Sequence, residues 1–322
     1  MILCVTLNPC VDRTLFVDKL DLDRIIAARR SKCIPGGKGN NVARVLRTLG
    51  LPVDSFVLLG GHTGRLIEET IRQQDGITPF VFWTQGPTRE VITVVEEGSN
   101  RQVAFKEPGA DLTPSECRDL ALMLRILVAQ YEWVVFSGSV PCPELDHTYH
   151  DLIHAVRRAG GKAVLDSSGK ALARGLSARP YLFKANLEEA AYVFGKPVAR
   201  EEDIWTCALS LSPKETPQTE GFCADVVAVT AGKQGAYVVH GGDRWRALPP
   251  AVPAVNPVGS GDSFLGGLIA GLAQGASFDD SLRLAVAAGA ANAARWDAAT
   301  FTRADVENIA PQVQVRRLSE QQ

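Results

Sequence analysis

Short, nearly uninterrupted apolar runs alternate with stretches of helical spacing along most of the chain, at residues 2–6, 55–59, 78–83, 133–137, 163–166, 181–184, 226–230 and 236–239. Each run is too short for a helix and too apolar for a strand with one wet face. A strand that is apolar on both faces must be covered on both, which parallel strands joined by crossover helices achieve. The pattern therefore predicts an α/β fold with a mostly parallel sheet between helical layers. One helix begins near Gly39, sets Val42, Val45, Leu46 and Leu49 on one face, and stops at Gly50. Another starts at Thr113-Pro114-Ser115-Glu116, where Thr113 caps, Pro114 takes the first position and Glu116 closes a capping box. A third spans 144–158 and ends at Gly160-Gly161. Residues 262–273 and 279–295 are rich in alanine and glycine, as closely packed buried helices are.

One region breaks the alternation. Residues 89–95 and 101–106 flank Glu96-Glu97-Gly98-Ser99-Asn100, a good hairpin turn. Thr14-Leu15-Phe16-Val17 is also strand-like, and 27–34 more weakly so because Arg29, Arg30 and Lys32 are cationic. Antiparallel strands inserted into an α/β body predict a small separate sheet. This gives a main domain of 1–10, 36–88 and 107–322, with a β-sheet lid of 11–35 and 89–106. Ile92 and Val94 point to one face of their strand, Val91 and Val95 to the other. A thin sheet cannot bury both faces alone, so one would cover a ligand and the other is left for a second copy of the chain, a homodimer through the lid. Residues 211–223 are polar and contain proline, which reads as a surface loop without assignable chemistry.

The formal net charge of -2 over 322 residues creates no global field for nucleic acid or for an anionic membrane. Anion recognition must then come from locally placed Lys, Arg and backbone amides. The seven cysteines are scattered without a C-x-x-C pair, and the five histidines show no metal spacing. That is a reduced thiol set, as expected of a cytoplasmic protein. The apolar N-terminus meets Asn8-Pro9 too soon for a signal peptide. No apolar run approaches the roughly 18 residues of a membrane span.

Chemistry is concentrated at two glycine-rich turns. In Asn256-Pro257-Val258-Gly259-Ser260-Gly261-Asp262, followed by a long apolar helix, glycines let the backbone approach a ligand closely. The unpaired amides at the helix start then form an anion site backed by the helix dipole. Asp262 lies in the same turn, where its carboxylate can take a proton from an attacking hydroxyl. The alternative is a structural turn with Asp262 or Ser263 as helix cap. In Pro35-Gly36-Gly37-Lys38-Gly39-Asn40-Asn41, glycines again precede a helix, now with a lysine and two amides able to bind hydroxyls or phosphate. It is neither a Walker A loop nor a dinucleotide fingerprint, and by itself it could be a structural turn.

Asp12 after Thr6-Leu7-Asn8-Pro9, Gly-Gly-Lys-Gly-Asn-Asn at 36–41 and Gly-Ser-Gly-Asp at 259–262 resemble the ribokinase-like sugar kinases. Within them the chain is similar to the phosphofructokinase B branch, which holds 1-phosphofructokinase and tagatose-6-phosphate kinase, from residue 1 to about residue 310. The resemblance implies a ribokinase-like three-layer sandwich with a β-sheet lid. It also implies ATP and Mg²⁺ as cofactors, and a phosphorylated ketohexose as acceptor. Fructose 1-phosphate is the first choice, with tagatose 6-phosphate and fructose 6-phosphate next. Asp262 would be the base, with Gly259, Ser260 and Gly261 cradling the transferring group. Asp12 would bind sugar hydroxyls, unless it is a solvated loop acid. Gly37 and Asn41 would line the sugar site with Lys38 beside them. Arg89, after Thr88, matches the arginine that clasps substrate phosphate, unless it is a surface strand residue. Lys184-Ala185-Asn186-Leu187-Glu188-Glu189 resembles the family's Lys-Pro-Asn-x-x-Glu. There Lys184 and Asn186 would serve ATP, and Asn186 and Glu189 would hold Mg²⁺ indirectly. Thr230, Gly232 and Gly235 match a nucleotide loop. Asn292 would reach the adenine side, unless it is a polar position on a packed helix. Ser137-Gly138-Ser139 and Asp166-Ser167-Ser168-Gly169 also match family segments. Two departures stand out: Glu90-Val91 follows Arg89 where the branch has x-Asn, and Ala185 replaces proline. The rival readings are a kinase of an unphosphorylated sugar or nucleoside, and a non-catalytic sugar or nucleotide sensor.

Overall fold

Alternate residues of the first strand enter two different cores. Ile2 and Cys4 pack into one buried cluster, Leu3 and Val5 into the other, and Trp133/Val135 against Val134/Phe136 repeat the division. The structure, a computed structural model, describes residues 1–21, 23–99, 101–213 and 223–318. Its strands are β1 (Ile2–Thr6), β2 (Cys10–Val17), β3 (Arg30–Gly36), β4 (Val53–Gly60), β5 (Pro79–Thr84), β6 (Glu90–Glu96) and β7 (Gln102–Lys106). They continue with β8 (Trp133–Ser137), β9 (Lys162–Asp166), β10 (Leu182–Asn186), β11 (Val226–Thr230), β12 (Ala236–His240), β13 (Asp243–Leu248) and β14 (Gln314–Leu318).

The main sheet is ten-stranded, in the order β14-β13-β12-β11-β10-β9-β8-β1-β4-β5. From β11 to β5 every pair is parallel, while β12, β13 and β14 form an antiparallel edge. Helices Lys38–Thr48, Ser260–Ala273 and Phe278–Ala293 supply one core, and Pro114–Val128, Thr148–Arg158 and Gly169–Ser177 the other. Sequence periodicity did not predict β13 and β14. Arg244, Arg246, Arg316 and Arg317 interrupt their apolar pattern; β14 is the sheet edge, and Arg246 of β13 lies over the Tyr237 ring.

The small sheet has the order β3-β2-β6-β7. Its outer pairs are antiparallel as expected, but β2 and β6 at its centre are parallel. Both strands rise from the same edge of the main sheet, after the parallel strands β1 and β5, and so enter side by side. Phe16 of β2 meets Trp296 at 5.4 Å, and Lys32 pairs with Asp297 at 3.0 Å, tying this sheet to the main body. The expected helix over 144–158 is broken. Pro143–Leu145 forms a 3₁₀ turn closed by Asp146 N–H to Pro143 C=O, and the α-helix starts only at Thr148. The capping box at Thr113 and Glu116 is present. Most of the 211–223 loop, and Asn100 of the hairpin turn, lie outside the described residues. Among the described residues no helix is long and apolar enough to cross a membrane.

Packing of the Ser260–Ala273 helix sets up the site. A Cβ at Gly266 would lie 2.6 Å from Val45, and one at Gly271 2.6 Å from Ser281 Cα. Its backbone therefore rests directly on the neighbouring helices, which brings the starts of the 38–48 and 260–273 helices together. At Gly267 the added methyl would meet Ala285 Cα and Leu284 C=O, both at 2.8 Å, and backbone cannot give way as a side chain can. Gly267→Ala gains up to about 1 kcal/mol of helix propensity, yet overpacking of this kind costs about 1–3 kcal/mol. A net loss of stability is expected in urea unfolding; a stabilised variant would show that these helices separate freely.

Candidate active site

All strands from β11 to β5 point their carboxyl ends the same way, and the ends of β1, β8, β9, β10 and β11 supply the polar groups there, as ligand sites in such sheets require. Asp166 ends β9 and is fully buried. Its Oδ1 accepts from Lys38 Nζ at 2.9 Å and its Oδ2 from Lys184 Nζ at 3.2 Å. Burial pushes the Asp166 carboxyl up, but Lys184 and Lys38 outweigh that and hold it below the usual carboxylate range. Lys38 also donates to Glu189 Oε1 at 2.7 Å. The carboxylates of Asp166, Glu189 and Asp262 raise Lys38 above the ordinary lysine value against the opposing effect of burial, so it stays charged.

The glycine turn sits over this pair of lysines. Gly259 adopts φ 81°, a left-handed conformation, and a Cβ there would lie 2.6 Å from Ala298 Cβ. No side chain caps the helix that follows, so neither Asp262 nor Ser263 has the capping role considered above. The Asp262 carboxylate instead accepts a hydrogen bond from Asn41 Nδ2 at 2.8 Å. Ser260 N–H bonds Pro257 C=O and Ser263 N–H bonds Gly259 C=O. That leaves the amides of Gly261 and Asp262 at the open end of the helix. A Cβ on Gly261 would meet Lys184 Nζ at 2.8 Å, so a buried ammonium lies directly beneath those amides. Asp262 is buried, and its carboxyl is pushed up to about 6, first by desolvation, then by the charge of Asp166, against Lys38, Lys184 and the Asn41 bond.

Two of the residues expected at the nucleotide already have protein partners. Lys184 is buried and engaged with Asp166 rather than open to a ligand. Asn292 is buried too; its Nδ2 donates to Val258 C=O at 2.8 Å and Ser260 Oγ at 3.0 Å, and its Oδ1 accepts from Ala299 N–H at 2.7 Å. With the amide so engaged, Asn292 braces the glycine turn, the polar position on a packed helix given above as the alternative.

Asn186 caps the Leu187–Phe194 helix through a reciprocal box with Glu189, at 2.8 and 2.9 Å. Every oxygen of this pair that could meet a metal already accepts a hydrogen bond, and among the described residues no group of three His, Cys, Asp or Glu side chains could hold a metal ion. Each of these oxygens keeps a lone pair that can accept from the waters of a hydrated cation such as Mg²⁺. Thr230 pairs with Asn186 across β10–β11, and its Oγ1 bonds Ala185 C=O at 3.3 Å. In the loop beyond, Gly235 packs against β13, where a Cβ would come within 2.0 Å of Ala247 C=O, whereas one at Gly232 would meet nothing.

A second group lies towards the small sheet. Asp12 of β2 is half-buried, and a Cβ on Gly36 would fall 2.2 Å from its Oδ2. Burial raises its carboxyl, opposed by the Cys10 thiol hydrogen bond and the charges of Arg89, Arg44 and Lys106. Gly37, at φ 111°, starts the 38–48 helix. Arg89 donates to Asn8 C=O at 3.1 Å and, at long range, to Pro9 C=O at 3.4 Å and Glu107 C=O at 3.5 Å. Glu90 pairs with Arg13 at 3.1 Å, and Val91 stands at the position of the asparagine that the resemblance implies. Sequence reasoning noted Asp166 without assigning it a role and passed over Arg44 and Asp75. An acid closing a buried strand and an arginine inside an apolar helical stripe were the signals for the first two.

A sequence model of the pfkB family carbohydrate kinases matches residues 2–303. The chain belongs to this family. Among pfkB relatives, tagatose-6-phosphate kinase of Staphylococcus epidermidis is 31% identical over 319 residues, 98% of this chain and 99% of that one. Phosphofructokinase-2 from Escherichia coli, in complex with fructose-6-phosphate, is similar with a TM-score of 0.84 and 28% identity, over 97% of this chain and 98% of that chain. Ribokinase of Arabidopsis thaliana, complexed with ribose and ATP, shares the fold at a TM-score of 0.75 and 20% identity, over 96% and 98% of the two chains. The protein is thus a kinase with the α/β ribokinase-like architecture and a smaller lid sheet.

Asp166→Asn leaves two ammonium groups facing each other where a fully buried carboxylate joined them. Breaking a buried pair this way costs about 3–5 kcal/mol, and denaturant unfolding should register that loss. The sign of the pH dependence follows from the depressed carboxyl. The stabilisation from Asp166 is complete above the ordinary carboxylate range and is lost as pH falls through its lower folded value. Wild-type stability in Asp166→Asn would refute the assigned role.

Proposed function

We propose that the protein transfers the γ-phosphoryl group of ATP to a hydroxyl of a phosphorylated ketohexose, with Asp262 as base. Tagatose 6-phosphate heads the acceptors because of the staphylococcal relative. Fructose 6-phosphate and fructose 1-phosphate, the latter first on the motifs alone, follow. The observation that carries the reading is a buried carboxylate in the first turn of a glycine-initiated helix, beside open amides and over a buried lysine.

Asp262 Oδ takes the proton of the acceptor hydroxyl as that oxygen attacks the γ-phosphorus. The amides of Gly261 and Asp262, with the helix dipole behind them, stabilise the charge on the transferring group. Asn41 holds the carboxylate in place. Asp12 and Asn41 receive sugar hydroxyls near the lid, and Arg89, whose present bonds are mostly long, turns its forked donors to the substrate phosphate. Asn186 and Glu189 receive the waters of Mg²⁺, which when bound offsets the charge of the ATP phosphates. The lid sheet, held by Phe16 and Lys32, closes over the sugar and excludes water.

An ADP-release assay with Mg-ATP across the three phosphorylated ketohexoses, fructose, ribose and adenosine tests the reading. Turnover confined to a phosphorylated ketohexose is expected; turnover only with uncharged acceptors would overturn it. Asp262→Asn should lower kcat by about 10²–10⁴-fold. Because the base must be ionised and its carboxyl lies at about 6, kcat/KM should fall as pH drops through that value, and a flat profile to pH 5 would exclude Asp262. Arg89→Ala should raise KM for the sugar phosphate about tenfold or more, from loss of a charged hydrogen bond, with KM for ATP little changed. Equal rises in both would remove Arg89 from the phosphate site.

A further inference from the structure

Arg44 lies on the buried side of the 38–48 helix, with its side chain 10% exposed, and every N–H of its guanidinium has an acceptor. Nε and Nη2 form a fork on Asp75 at 2.7 and 3.1 Å. Nη2 also reaches Pro35 C=O at the foot of β3, at 3.2 Å. Nη1 donates to Ala298 C=O at 3.2 Å, in the segment that packs on Gly259, and to Asn41 Oδ1 at 3.3 Å. Asp75, its side chain 6% exposed, closes the π-helical turn Ile71–Asp75, far along the chain from either glycine motif.

These bonds bear on the base through a single amide. Asn41 presents its oxygen to Arg44 and its NH₂ to Asp262. Turned over, the amide would set its oxygen against the Asp262 carboxylate and its NH₂ against the guanidinium, losing both bonds and placing like poles together. We infer that Arg44, itself held by Asp75, is a positioning residue for phosphoryl transfer that orients the Asn41 amide and thereby fixes the Asp262 carboxylate. The inference rests on the reading of Asp262 as base. The other charged groups around that carboxylate, Asp166, Lys38 and Lys184, act on its charge and have no bond to the Asn41 amide among the described contacts. Orientation therefore falls to the Asp75–Arg44–Asn41 chain.

The test is a double-mutant cycle in the full chain, with kcat and both KM values measured for wild type, Asn41→Ala, Arg44→Lys and the double variant. Lysine keeps the charge but not the fork. Arg44→Lys and Asn41→Ala should each lower kcat by about 10–100-fold, the scale of a misplaced reacting group. KM for Mg-ATP should stay near wild type, and the double variant should be no slower than the worse single one. Multiplied losses, or wild-type kcat in Arg44→Lys, would overturn the inference. Should Arg44→Lys fail to fold, Asp75→Asn takes its place in the same cycle. It is expected to lower kcat less, and to have no further effect on the Asn41→Ala background; an independent effect there overturns the chain. Asp262→Asn separates the two readings. If it retains turnover, the base assignment fails and this inference with it. If it is inactive while the cycle losses multiply, only the Arg44 assignment fails.

Discussion

The site depends on one buried carboxylate lying between two buried ammonium groups. Asp166 is fully removed from water at the end of a central strand, where an unpaired charge would be prohibitive. Lys38 and Lys184 neutralise it, and in doing so they bring a glycine-flanked helix start and the strand β10 to one point. The first carries Asn41, and the second lies beneath Gly261. The ion pairs thus locate the 36–41 segment, the glycine turn at 259–262 and the Asn186–Glu189 box relative to each other. Desolvation and the charge of Asp166 raise the Asp262 carboxyl, and Lys38 and Lys184 oppose them, leaving it at about 6.

Close backbone packing does the rest. The glycines of the Ser260–Ala273 helix let it lie close against two other helices, Gly266 against Val45 and Gly267 against the backbone at Ala285. Asn41 can then reach Asp262 at 2.8 Å, though the two are 221 residues apart. Asn292 and Ala298 hold the turn from behind, so the open amides of Gly261 and Asp262 sit on a rigid base. Such preorganisation matters for phosphoryl transfer, where positioning and electrostatics supply most of the catalysis. The small sheet is tied to the main body by the Phe16–Trp296 contact, the Lys32–Asp297 ion pair and the bond from Arg44 to Pro35 C=O.

Much of this was legible from local pattern. Strands buried on both faces read as continuous apolar runs, so β1, β8 and β11 have the bounds their composition predicts. Strands β13 and β14 did not, because arginines stand among their apolar residues and break up the run that marks the central strands. The break before Thr148 was hidden because a 3₁₀ turn and an α-helix use the same residue types. In the site, glycine turns before helices marked Gly37 and Gly259, whose left-handed φ values only a residue without Cβ adopts easily. The protein partners of Asn292 and Lys184 were hidden for a common reason. Residue type says that a side chain can bind a ligand, not whether protein groups have already taken its donors.

By itself the sequence determined the α/β class, the inserted small sheet, the two glycine-rich turns and the family resemblance, because each is a property of neighbouring residues and their spacing. Tertiary structure alone decided which groups meet. It set the parallel β2–β6 pairing, buried Lys184, committed Asn292 to the turn, and aligned Asp75, Arg44, Asn41 and Asp262. The physical reason is that hydrogen bonds and ion pairs depend on distances of about 3 Å, and only packing of the whole chain brings such distant residues that close.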